Sequence, residues 1–76
     1  MTAMLTRAEA LLNDPLVQAQ EQVAEAEKRR EQQVRSLADI AEGTDARAFA
    51  EHILSEIERT IVLSRMHLEL MRHLLG

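Results

Sequence analysis

The stretch Ala41-Glu42-Gly43-Thr44-Asp45 lies between two long runs of helix-forming residues and decides the fold. Gly43 suits the left-handed conformation that commonly follows the last residue of a helix. Thr44 is a favourable N-cap residue, and an acid at the next position interacts favourably with the positive end of a helix dipole. The stretch therefore predicts that one helix ends near Glu42 and that another begins at Asp45.

Two long helices, over about 15–42 and 45–75, are predicted on either side of this turn. Asp14-Pro15 marks the start of the first, because aspartate caps helix N-termini and proline is tolerated at the first helical position. Helices of roughly 28 and 30 residues extend about 40–45 Å. A link of only about two or three residues makes them fold back antiparallel. The sequence thus predicts a helical hairpin.

The residues before Asn13 predict a further short helix, over about 3–12. Thr6-Arg7-Ala8-Glu9 has the spacing of a capping box, and Leu11 and Leu12 continue an apolar pattern at helical intervals. In an alternative interpretation Pro15 merely kinks one longer first helix, which leaves the hairpin intact. We expect a single all-α domain spanning 1–76.

The composition limits the ways in which this domain can be stabilised. The 76 residues include no cysteine, tryptophan or tyrosine and one phenylalanine. Disulfides, thiolate metal sites and cysteine nucleophiles are therefore excluded, and the core must come from aliphatic side chains. A domain of this size then relies on helix packing or on oligomerisation, and the second is the expectation here.

Charge and hydropathy indicate no membrane or nucleic-acid partner. The net charge is −4, which argues against a nucleic-acid footprint. No apolar run approaches the roughly 18 residues of a membrane span, and the N-terminus lacks a basic stretch followed by an apolar one. We expect a cytoplasmic protein.

Apolar residues are unevenly divided between the two long helices. Between Val23 and Val34, ten residues contain nothing apolar larger than alanine. From Ile61 to Leu75, nine of fifteen residues are Ile, Val, Leu or Met, and they spread too far around the helix for one partner helix to cover. This pattern therefore predicts an additional binding surface on the second helix.

Ile57 and Ile61 are expected to be the hardest side chains to cover, because they face the polar middle of the first long helix. Exposed apolar surface costs about 25 cal/mol per Å². A second chain is therefore expected to cover it, either a second copy in a homodimeric four-helix bundle or a different protein, although a self-sufficient monomer is an alternative. The predicted partner interface comprises Phe49, Ile53, Ile57, Ile61, Met66, Leu68, Leu70, Met71 and Leu74.

The polar residues predict no catalytic, cofactor or metal site. His52 and Glu56 share a helix face, as do Glu69 and His73, but helical metal sites usually draw ligands from several helices. Surface histidines are the preferred interpretation. Lys28-Arg29-Arg30 is flanked by acids and has no aromatic neighbour to stack on bases, so RNA binding is a minority alternative. We expect a non-enzymatic protein without a small-molecule substrate.

Several short motifs are shared with a known family. They are Met1-Thr2, Leu5-Thr6-Arg7, Glu9 and Leu11-Leu12, followed by a polar helix, Gly43-Thr44-Asp45 and an isoleucine-rich helix. In these motifs the chain resembles the small co-chaperones of type III secretion needle subunits. The resemblance implies a protein that pairs with a larger helical-repeat chaperone and helps to keep the needle subunit from polymerising. The apolar residues from Ile57 to Leu75 would then face that chaperone.

Three classes of function fit these observations. The first is an adaptor or co-chaperone that binds another protein through the apolar face of the C-terminal helix. The second is a homodimeric helical bundle with a regulatory role, of the RNA-binding or plasmid and phage type, and the third is a small phage-type inhibitor. The first two differ in whether Ile57, Ile61, Met66 and Leu70 are exposed in the isolated chain or buried in a homodimer.

Overall fold

The computed structural model describes residues 14–75, which form two helices packed against each other in antiparallel orientation. They are α1, Pro15–Ala38, and α2, Asp45–Leu75. The prediction of an all-α hairpin is confirmed. The predicted short helix over about 3–12 lies outside the described residues.

Asp14 caps the start of α1 as predicted. Its Oδ1 accepts hydrogen bonds from the backbone N–H groups of Leu16 at 2.8 Å and Val17 at 3.4 Å. Pro15 occupies the first helical position, where its missing N–H has no helical partner to lose. The helix therefore begins at the residue that the sequence indicates.

The end of α1 lies earlier than predicted, at Ala38 instead of near Glu42. The backbone tightens there, with Asp39 N–H bonded to the Ser36 carbonyl and Ile40 N–H to the Leu37 carbonyl. Arg47 of α2 donates from Nη1 to the Leu37 carbonyl at 2.9 Å and to the Ile40 carbonyl at 3.1 Å. A cation thus satisfies carbonyl groups that a longer helix would have bonded internally.

The connection between the helices comprises six residues, 39–44, and carries two of the predicted signals. Gly43 has a positive φ of 78°, but it lies within the connection and not directly after the last residue of α1. Thr44 caps α2 as predicted. Its Oγ1 accepts from the Arg47 N–H at 3.1 Å and donates to the Ala41 carbonyl at 2.7 Å. The chain therefore reverses direction between the capped end of α1 and the Thr44 cap of α2, with Gly43 in the left-handed conformation between them.

The helices meet along rows of residues spaced alternately three and four apart, which is the periodicity of a coiled coil. We call these rows the inner seam. On α1 they are Leu16, Ala19, Val23, Ala26, Arg30, Gln33 and Leu37, and on α2 they are Ala50, Leu54, Ile57, Ile61, Ser64, Leu68 and Met71. The six buried apolar side chains of residues 14–75 all belong to it: Ala19, Ala26, Leu37, Ala50, Ile61 and Leu68.

Buried positions in the two helices match in an antiparallel register. Seven residues separate Ala19 from Ala26, and seven separate Ile61 from Leu68; the third buried residue of each helix lies eleven positions further along the seam. This spacing places Ala26 at the level of Ile61. Ile61 is only 5% exposed, so the prediction that the hairpin cannot cover it is wrong. A small side chain opposite it lets the helix axes approach closely.

Polar side chains bridge the two helices across the alanine-rich middle of α1. Arg65 Nη2 lies 2.9 Å from Glu27 Oε1, and Arg30 Nε lies 3.5 Å from Glu58 Oε2. Deeper in the seam, Gln33 Nε2 donates to the Ala50 carbonyl at 3.0 Å. Both arginine side chains remain about half exposed or more, as is usual for long side chains that keep their charged ends in water. The polar middle of α1 therefore contributes to the interface without large apolar residues.

Candidate protein-binding surface

Among residues 14–75, the largest concentration of exposed apolar side chains lies on the C-terminal half of α2, on the side turned away from α1. We call it the outer patch. Its members are between 52% and 64% exposed, and they are Val62, Leu63, Met66, Leu70 and Leu74. Since successive residues lie about 100° apart around a helix, positions 62, 63, 66, 70 and 74 fall together on one face. This face points away from the one that buries Ile61 and Leu68.

The nine residues predicted as the partner interface divide into three groups. Phe49, Met66, Leu70 and Leu74 are exposed large hydrophobic side chains. Ile53, Ile57 and Met71 are half-buried along the hairpin. Ile61 and Leu68 are buried against α1 and are not accessible to another chain while the hairpin is closed.

Helical geometry explains why the predicted stripe mixes these groups. Phe49, Ile53, Ile57 and Ile61 follow one another at steps of four residues. Each such step advances about 40° beyond a full turn in a helix of 3.6 residues per turn. Phe49 therefore lies about 120° around the helix from Ile61. A partner helix instead follows alternating steps of three and four, which is the spacing of the inner seam.

Val62 and Leu63 belong to the surface, although neither is in the predicted interface. The signal for them is present in the sequence, because they precede Met66 by four and three residues, and Leu70 follows Met66 by four. These intervals define a second apolar face of α2. The excess of apolar residues after Ile61 is therefore divided between a face for α1 and a face for solvent.

Two shallow grooves run along the sides of the hairpin and are lined mainly by polar residues. One lies between the α1 residues Gln22, Glu25 and Arg29 and the α2 residues Thr60 and Ser64. The other holds the ion pair of Glu27 and Arg65 beside Lys28 and Glu31. Their charges are mixed, and neither groove combines an enclosed apolar cavity with converging polar groups, the usual form of a small-molecule site.

The histidines of α2 remain on its surface. His52, His67 and His73 are all exposed, as is Glu56 one turn from His52. Within residues 14–75, no three His, Asp or Glu side chains come together in an arrangement that would hold a metal ion. In the basic cluster Lys28-Arg29-Arg30, Arg30 forms an ion pair with Glu58 of α2.

Neither α1 nor α2 combines the length and the apolar composition needed to cross a membrane. Comparisons with protein-family models, with curated proteins and with solved structures find no match to this chain.

Proposed function

We propose that this chain is a non-enzymatic protein-interaction module that binds its partner through the outer patch of α2. The observation that carries the proposal is the exposure of Val62, Leu63, Met66, Leu70 and Leu74 on one helix face. Contiguous apolar surface of this kind characterises protein-binding sites, whereas single exposed apolar residues do not.

The energetics of the outer patch favour association. Fully burying one aliphatic side chain of this size contributes about 1.5–3 kcal/mol, and each member of the patch is already more than half exposed. Covering the five would offset a substantial part of the entropy lost on association. A partner helix with apolar residues at intervals of three and four would fit this face, as in helix-in-groove recognition.

The resemblance to the needle-subunit co-chaperones suggests one form of the module, an adaptor that pairs with a larger helical-repeat chaperone in the cytoplasm. That protein would cover the outer patch and leave the polar side of α1 in water. A homodimeric bundle with a regulatory role is the second candidate. It is favoured by the contrast within the chain, since α1 exposes only one large hydrophobic residue among those described, Val34 at 43%.

Site-specific photo-crosslinking tests the proposal in the cells that make the protein. A benzophenone amino acid replaces Leu70 in one variant and Gln20, an exposed residue of α1, in the control. We expect a defined protein cross-link from position 70 and none from position 20. A second copy or a different protein would each support the module. The proposal is wrong if position 70 gives no protein adduct, or if both positions give the same diffuse set.

A further inference from the structure

A second row of residues on α2 repeats the spacing of the inner seam one position earlier along the chain. We call it the second seam. Its apolar members are Phe49, Ile53, Leu63, Leu70 and Leu74, and its polar members are Glu56, Thr60 and His67. The intervals alternate between four and three residues throughout, which is the repeat that a packed partner helix requires. Three of its members belong to the outer patch.

The second seam is complementary to itself in antiparallel orientation. If two copies of α2 cross at the level between positions 61 and 62, Phe49 lies opposite Leu74 and Ile53 opposite Leu70. The same register brings Glu56 of one copy to His67 of the other. Five of these six residues are exposed in the isolated hairpin, and Ile53 is half-buried. Residues that exchange roles between two copies are the mark of an isologous, two-fold interface.

The charged positions select this orientation over the parallel one. A parallel pair would place the Glu56 carboxylates of the two copies against each other, and like charges across an interface oppose association. Among the described residues, neither Glu56 nor His67 has an ion-pair partner in its own chain. In the antiparallel pair the carboxylate and the imidazole of the two copies supply that partner twice, once at each side of the two-fold axis.

The apolar positions select the register. Sliding the antiparallel pair by one heptad in one direction places Phe49 opposite His67 and Leu74 opposite Glu42. Sliding it by one heptad in the other direction places Glu56 opposite Leu74. Both shifts bury a polar group against an apolar one, which is unfavourable. Only the register centred between positions 61 and 62 pairs Phe49 with Leu74, Ile53 with Leu70 and Glu56 with His67 at once. At its centre Thr60, whose hydroxyl donates to the Glu56 carbonyl at 3.1 Å, lies opposite Leu63.

The position of the second seam also determines where the two α1 helices would stand. A shift of one residue corresponds to about 100° of rotation around the helix axis. Seen along the axis of α2, the second copy therefore lies about 100° around α2 from α1. Two hairpins arranged in this way make a four-helix bundle. The groove lined by Gln22, Glu25 and Arg29 runs along the same side as Thr60, so the α1 helices would approach each other through polar side chains.

We propose that a second copy of the chain docks antiparallel along the second seam in a two-fold four-helix bundle, with Glu56 against His67, and covers Leu63, Leu70 and Leu74 of the outer patch. The inference rests on the proposed interaction module and names its partner. It requires the protein in solution to have twice the 8.6 kDa mass of the chain.

Charge exchange across the proposed pair is the first test. In purified protein studied by sedimentation equilibrium, Glu56→Lys alone and His67→Glu alone should each weaken the dimer by about tenfold or more, as for close charge pairs across an interface. The double variant should recover most of that loss. Glu42→Lys, in the connection between the helices, is the matched control and should leave the dimer unchanged. Monomeric wild-type protein, or a double variant no tighter than the weaker single variant, would overturn the pairing.

Cysteine cross-linking gives the direction of the two helices, because the chain has no cysteine of its own. Ile53→Cys protein mixed with Leu70→Cys protein should form a disulfide-linked heterodimer under mild oxidation. Neither variant alone should cross-link, since identical positions would be about 25 Å apart along the helices. Cross-linking of Ile53→Cys to itself would instead indicate a parallel pair and contradict the proposal.

The two proposals can fail separately. If the photo-crosslink from position 70 contains only a different protein and the mixed cysteine variants do not cross-link, the antiparallel homodimer is wrong and the interaction module stands. If the photo-crosslink is absent as well, both are wrong.

Discussion

The inner seam and the outer patch of α2 lie on the same helix and contain the same types of residue, yet they differ in what the chain itself provides for them. Ile61 and Leu68 of the inner seam are covered by α1, whereas Val62, Met66 and Leu70 of the outer patch are more than half exposed. One face of α2 therefore packs against α1, and the opposite face makes no contact with α1. This difference separates stability, which depends on the inner seam, from association, which we assign to the outer patch.

Neighbouring residues allow the sharpest test of this separation. Ile61→Asp places an unpaired carboxylate in the interface with α1, and a buried unpaired charge costs about 3–5 kcal/mol. A domain of this size has about 4–11 kcal/mol of stability in total, at roughly 0.05–0.15 kcal/mol per residue. We expect Ile61→Asp to remove a large part of the free energy of unfolding, which urea unfolding followed by circular dichroism measures.

Val62→Asp, one residue further along, is the matched control. Its side chain is 56% exposed, so the carboxylate stays in water and the free energy of unfolding should change by about 0.5 kcal/mol or less. Equal loss of stability in the two variants would contradict the division of α2 into an inner and an outer face.

The packing of the inner seam predicts a smaller effect at its narrowest point. Ala26 is 5% exposed at the level of Ile61, so Ala26→Leu should push the helices apart and destabilise the hairpin by about 1–3 kcal/mol. Ala24→Leu adds the same side chain at an exposed position of α1 and should change stability little. Urea unfolding of both variants measures the difference. A stabilising Ala26→Leu would mean that the seam contains empty space.

The sequence predicts the two helices and their antiparallel arrangement because those depend on local signals. Asp14, Pro15 and Thr44 act at the positions where the sequence places them. The end of α1 does not follow from local signals. At that end Arg47 reaches back across the connection and donates to the carbonyls of Leu37 and Ile40, and such a contact becomes visible only when the two helices are placed together.

The candidate surface is predicted in part for a related reason. The surplus of apolar residues after Ile61 follows from composition and periodicity, and Met66, Leu70 and Leu74 are exposed as the predicted interface requires. The coverage of Ile61 depends on how closely the helices approach, which alanine at position 26 permits. A count of large apolar residues assigns no value to alanine, so sequence reasoning assigned to a second chain what α1 itself does.

The smallest predicted effect concerns the ion pairs at the margin of the inner seam. Glu27 and Arg65 are 2.9 Å apart and both half-exposed, and exposed pairs of this kind contribute about 0.2–1 kcal/mol. A double-mutant cycle with Glu27→Ala and Arg65→Ala should therefore give a coupling energy near 0.5 kcal/mol that falls as salt is added. The pair Glu31 and Arg35, within α1 alone, is the control for a bridge that does not join the helices. A coupling energy of several kcal/mol between Glu27 and Arg65 would contradict the assignment of stability to the packing of the inner seam. It would mean that the polar contacts at the margin of the seam hold the helices together.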